Sequence, residues 1–135
     1  MKVLVDTPVW SSAFRKKAGS ANSAIIDNLV HLIKNAQIEI IGAIRQEVLS
    51  GISDKNKFHE LKNKMAVFAD YAVQTSDHEF AAECSNICRQ NGIQGAHTDF
   101  LICALAIQND WEIFTEDKDF FEYAKYLPIK IYQLK

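Results

Sequence analysis

Apolar and polar positions change period several times along the chain, and each change marks an element. Val3 to Val5 is a short apolar run ending at Asp6. Thr7-Pro8 then opens a helical pattern through Phe14, with Thr7 as the expected N-cap and Pro8 in the first turn, where its missing N–H costs nothing. Ile25, Ile26, Leu29, Val30 and Ile33 recur at helical spacing, predicting a helix over Ser20 to Lys34 ahead of a short strand at Ile38 to Ile41. Gly42 breaks that strand, and a further helix is expected to run to Gly51. Charged sequence over Ser53 to Lys64 predicts a helix or helical hairpin continuing to about Phe68, and Ser76 to Asn91 predicts another helix, stopped by Gly92. Thr98 to Gln108 is apolar on nearly every face, the pattern of a helix buried in the core. Glu112 to Thr115 reads as a strand, Lys118 to Tyr126 as a helix and Ile129 to Leu134 as a last strand.

Strands alternating with helices pair in parallel through crossovers, so the expected fold is a three-layer α/β sandwich: four to five short parallel strands with helices on both faces. A length of 135 residues with 48% hydrophobic content suits one domain over residues 1–135. No linker, repeat or low-complexity tract interrupts it, and only five Gly and two Pro fit a helix-rich domain.

Charge is uneven. Residues 1–67 carry ten Lys/Arg against six Asp/Glu, whereas residues 68–135 carry five against eleven. One reading is solvated faces of different composition. The other is a basic approach surface of Arg15, Lys16, Lys17, Arg45, Lys55 and Lys57 leading a polyanion to an acidic centre. Three cysteines are an odd number, and Cys84 and Cys88 in a helical pattern read as small buried apolar residues rather than zinc ligands. With strand-like sequence following Met1-Lys2 directly and no apolar run of membrane-spanning length, a soluble cytoplasmic protein is expected.

The acids carry the chemistry. Ligands of open parallel sheets bind outside the carboxyl ends of the strands, and four acids fall near that edge. Asp6 follows the first strand, Glu47 lies in the helix after the second, Asp99 opens the buried helix, and Asp117 stands just past the strand ending at Thr115. Each has an ordinary structural reading: a capping acid at Asp6, an exposed helical Glu beside Arg45 at Glu47, an acid favoured by the helix dipole at Asp99. Together they repel, and such a group either protonates or gathers a divalent cation. Oxygen-only ligands select Mg²⁺ or Mn²⁺ over zinc. Asp117 is the first carboxylate past the strand able to point along the strand-end edge, and Asp119 falls about half a helical turn further round.

Other constellations are poorer. His31, His59, His78 and His97 show no recurrent ligand spacing, and only His97, two residues from Asp99, is placed for acid/base work; a partly exposed loop histidine is its ordinary reading. Ser11, Ser12 and Ser50 lack the setting of a hydrolase nucleophile.

Four segments, in order, resemble the acidic motifs of PIN-domain ribonucleases: "VLVDTPVWSSAF" at 3–14, "EVLSG" at 47–51, "TDFLICALAIQND" at 98–110 and "IFTEDKDF" at 113–120. The branch most similar is the VapC-type toxins of prokaryotic toxin–antitoxin pairs. Departures are Pro8 where Ser or Asn is usual, Phe100 where a small residue is usual, and His97 before Thr98 where no fixed residue is expected; none removes a carboxylate. The resemblance implies a PIN-like fold with Asp6, Glu47, Asp99 and Asp117 as catalytic and metal-binding residues, Thr7 and Thr115 as supporting hydroxyls and Asp119 as an outer ligand. It further implies a Mg²⁺- or Mn²⁺-dependent endoribonuclease leaving 5′-phosphate and 3′-hydroxyl ends on cellular RNA. A homodimer inhibited by a small cognate antitoxin is also implied. The alternatives are a PIN-fold RNA- or protein-binding module without activity, and a housekeeping PIN nuclease with no antitoxin.

Overall fold

All three residues of β1 (Val3–Val5) are buried. Successive strand residues point to opposite faces, so the sheet is covered on both sides at its centre. The computed structural model describes residues 1–14 and 23–135. After β1 come α1 (Thr7–Phe14), α2 (Ser23–Lys34), β2 (Ile38–Glu39), α3 (Gly42–Leu49), α4 (Lys55–Met65), α5 (Thr75–Gln90), α6 (His97–Asn109), β3 (Glu112–Phe114), α7 (Asp119–Tyr123) and β4 (Lys130–Ile131). The strands form one parallel sheet in the order β2-β1-β3-β4, with Val3 opposite both Ile38 and Glu112, and Glu112 opposite Lys130. This is the α/β architecture expected, with four strands.

The order contains a reversal. The chain leaves β1 toward β2 on one side, then crosses to build β3 and β4 on the other. Connections therefore diverge at the carboxyl ends of β1 and β3, opening a crevice there. The core below it is continuous: Leu4, Val5, Trp10, Ile41, Ile44, Ile102, Leu105, Ile113 and Phe114 are essentially inaccessible to solvent. Trp10 packs on Phe14 and Phe68 and donates its indole N–H to the Val5 carbonyl at 3.1 Å, which ties α1 to β1. Seven consecutive buried residues, Phe100 to Ala106, make α6 the central helix anticipated from its apolar surround.

Several boundaries differ from the sequence pattern. Asp6, not Thr7, occupies the cap of α1: its backbone carbonyl accepts from Val9 at 3.1 Å and its carboxylate from the Thr7 N–H at 2.8 Å. Residues 20–22 of the second expected helix lie outside the described residues. The helix expected over 53–68 begins after Asp54, whose carboxylate accepts from Asn56 and Lys57, and it ends at Met65 without forming a hairpin. Residues 66–74 instead return past the end of β2, where the Tyr71 N–H donates to the Ile40 carbonyl at 2.8 Å. The last helix is five residues rather than nine, Asp119–Tyr123, and seats Phe120 and Tyr123 in the core. Among the described residues no helix is long and apolar enough to cross a membrane.

Candidate functional site

Two strand ends make the floor of the crevice. The Asp6 N–H donates to the Phe114 carbonyl at 2.8 Å, extending the β1–β3 ladder by one step, so Asp6 and Thr115 emerge side by side. The Thr115 hydroxyl donates to Asp6 Oδ2 at 2.8 Å, while Oδ1 takes the Thr7 N–H. Asp6 is only 4% exposed, and no Lys or Arg among the described residues forms an ion pair with it. Burial pushes its carboxyl up to about 6, against the two hydrogen bonds and with a contribution from Asp99 and Asp117.

The other acids come from three further elements. Glu47, exposed on α3, accepts the Thr7 hydroxyl at 2.7 Å, so Thr7 links the first two acids through its backbone and side chain. Asp99, half-buried in the first turn of α6, accepts the Tyr123 hydroxyl at 2.7 Å. Burial raises the Asp99 carboxyl above its usual range despite that bond, and Asp117, Asp119 and Glu47 add to the rise. Asp117 is fixed by its own turn: its N–H donates to Thr115 Oγ1, and its Oδ1 accepts the Asp119 N–H, each at 2.9 Å. Carboxylate oxygens of Asp99, Asp117 and Asp119 lie within 4.8 Å of one another, a spacing one cation can bridge.

Asp6, Glu47, Asp99 and Asp117 all line a single cavity of about 720 Å³, together with Thr7, Ser11, Gln46 and Thr98. The structure thus lines one cavity with the four acids picked out in the sequence, although of these only Asp99 and Asp117 fall in the group close enough to share a cation among the described residues. It also draws Asp119 closer to the group than an outer position suggested. Hard oxygen donors, uncompensated by side-chain cations among the described residues, fit Mg²⁺ or Mn²⁺.

Other expectations moved. Arg45 is not on an approach surface. Its guanidinium donates to Asp70 Oδ1 at 2.9 and 3.0 Å, to the Met65 carbonyl at 2.7 Å and to the Phe68 carbonyl at 2.5 Å, clamping the segment after α4. Lys55 and Lys57 are exposed, and Arg15, Lys16 and Lys17 lie outside the described residues. Glu116 accepts Ser12 and Glu122 pairs with Lys125, so neither joins the cavity. His97 lines a neighbouring groove instead. All three cysteines are free and buried, and burial pushes the Cys84 thiol up to about 11.

Two positions escaped the sequence reading. Tyr123 is fully buried against Phe100 and Phe120, which leaves its hydroxyl one direction, toward Asp99. Gly95 makes room for it: a Cβ there would stand 2.1 Å from the Tyr123 oxygen and 3.1 Å from the Phe100 ring. An isolated Tyr and Gly, 28 positions apart, gave no local signal.

A family model described as PIN domain matches residues 3–126. No curated protein sequence matches significantly. Among solved structures, a chain of FitAcB from Neisseria gonorrhoeae superimposes with a TM-score of 0.78 at 19% identity, covering 97% of this chain and 96% of that one. A chain of VapBC2 from Rickettsia felis, solved bound to a DNA fragment from their promoter, gives 0.77 at 18% identity with complete coverage of both. FitAB bound to the IR36 DNA fragment gives 0.76 at 20% identity, covering 98% and 97%.

Proposed function

The chain belongs to the PIN-domain family, and from that premise we propose that it is a divalent-metal-dependent endoribonuclease, the toxin of a VapBC-type toxin–antitoxin pair. One observation carries the reading: carboxylates from four separate elements, Asp6, Glu47, Asp99 and Asp117, meet in one cavity at the point where the sheet's connections reverse.

Such a cavity repels a phosphodiester until a cation enters, which makes activity conditional on metal. Asp6, Asp99, Glu47 and Asp117 are the residues proposed to hold Mg²⁺ or Mn²⁺, with Asp119 beside them. When bound, the ion supplies water activation and charge neutralisation at the scissile phosphate. The protein contributes position. Thr115 and the Thr7 N–H fix both oxygens of Asp6, the Thr7 hydroxyl turns Glu47 inward, and Tyr123 aims Asp99. Ser11, Gln46 and Thr98 line the cavity as neutral hydrogen-bonding groups for ribose and phosphate oxygens. Cleavage would leave 5′-phosphate and 3′-hydroxyl ends, on cellular RNA in the cytoplasm.

The likeness to chains solved in FitAcB and VapBC2 supports an antitoxin partner; a homodimeric toxin is part of the proposal. The test is cleavage of labelled RNA by purified protein after EDTA treatment. Mg²⁺ or Mn²⁺ should restore turnover in the native chain and not in Asp99→Asn. Turnover indifferent to EDTA, or equal in the variant, would overturn the proposal.

A further inference from the structure

A second depression adjoins the acidic cavity. About 290 Å³ in volume, it runs between α5 and α6 and shares Thr98 with the cavity that holds the acids. Its α5 wall presents His78, Ala82, Ser85 and Arg89, spaced four, three and four residues apart and so on one helical face. Its α6 wall presents His97, Thr98, Phe100 and Leu101. Glu79 and Glu83 of α5 do not line it, so the groove carries no carboxylate, in contrast to its neighbour. Arg89 is exposed and forms no ion pair among the described residues.

We propose that this groove is a second RNA subsite, which takes the phosphate and sugar next to the scissile ones through Arg89, His97 and Ser85. The proposal rests on the ribonuclease reading. Continuity through Thr98 gives a strand engaged at the acids a direct path into the groove. Charge favours that path: the catalytic cavity is anionic, whereas Arg89 offers a guanidinium fork suited to a phosphate. An RNA strand is favoured over a protein partner because the groove's two large apolar residues, Phe100 and Leu101, are almost wholly buried, none of the exposed large apolar side chains among the described residues lines it, and Arg89 and His97 are exposed at it. His97 thereby gains a role as a strand contact rather than as an acid/base.

Fluorescence anisotropy of a short single-stranded RNA, with the full chain in Ca²⁺ so that a hard cation neutralises the acidic cavity and with the RNA checked to be intact afterwards, tests this across a salt series. Arg89→Gln should weaken binding by roughly 3- to 10-fold and lower the slope of log K against log salt by about 0.7, the value for one lost single-strand phosphate contact. Arg89→Lys should restore much of the slope. Equal affinity and equal slope in Arg89→Gln would overturn the subsite, and it would do so even if metal-dependent cleavage is observed. Loss of RNA binding in Arg89→Gln, from a native chain that hydrolyses no RNA with any metal, would instead overturn the ribonuclease reading and retain the groove. A variant that turns monomeric in light scattering with RNA affinity unchanged would assign the groove to a second copy of the chain and refute the proposal.

Discussion

Asp6 accepts two hydrogen bonds, and burial outweighs them and pushes its carboxyl up to about 6. The sign of the consequence follows from linkage. A carboxyl whose folded pKa lies above its ordinary value of 3.8 binds its proton more tightly in the native state, so it stabilises the fold fully below about pH 4. That contribution is lost as pH rises through about 6. Metal-free protein should therefore lose about 2–3 kcal/mol of stability over that window from Asp6 alone, and Asp99 acts in the same direction. Thermal melts in EDTA should show Asp6→Asn flattening the decline while abolishing RNA cleavage; an unchanged pH profile would contradict the burial argument. Tyr123 acts at the same scale. Tyr123→Phe keeps the packed ring but frees Asp99 Oδ2, and should cost about tenfold in Mn²⁺ affinity with under 1.5 kcal/mol of stability. Gly95→Ala places a methyl where the Tyr123 oxygen sits, and should cost about 1–3 kcal/mol in urea unfolding.

At the scale of elements, the short turn between β3 and α7 sets the roles of Asp117 within it and of Asp119 at the start of α7. Asp117 lines the cavity and also accepts the Asp119 N–H, so it is both the proposed ligand and the anchor of the turn, whereas Asp119 is exposed. Asp117→Asn should lower RNA turnover more than Asp119→Asn; the reverse order in purified variants would make Asp119 the principal ligand. The segment after α4 offers a contrast. Arg45→Met removes four hydrogen bonds to Asp70, Met65 and Phe68, and should destabilise by about 2 kcal/mol with RNA affinity retained. Lost RNA affinity at unchanged stability would return Arg45 to a nucleic-acid surface.

The strands at Val3–Val5 and Glu112–Phe114 and the buried α6 were legible in the sequence because apolar runs report burial directly. The shared placement of three acids was legible too, because Asp6 and Asp117 follow strands and Asp99 lies in the first turn of a helix, whereas Glu47, sixth in α3, reaches the same cavity only through the packing of that helix. Arg45 was misread because a charged side chain shows its sign in sequence but not its partners, here carbonyls 20 and 23 residues away. Tyr123 was hidden for the same reason, since its use depends on a glycine that matters only for the space it leaves.

For the molecule as a whole, the claim is that the fold exists at this edge to hold mutually repelling carboxylates until a cation joins them. An antitoxin can meet the same need with a basic side chain set against Asp6 or Asp99, and a complex structure with those acids facing no cation of the partner would contradict that expectation. The central claim is met most directly by calorimetric titration of Mn²⁺ into the native chain and into Asp6→Asn, Asp99→Asn and Asp117→Asn. The account predicts saturable binding in the native chain and its loss or severe weakening in each variant. A native chain that binds no Mn²⁺, or variants that bind it as the native chain does, would contradict it.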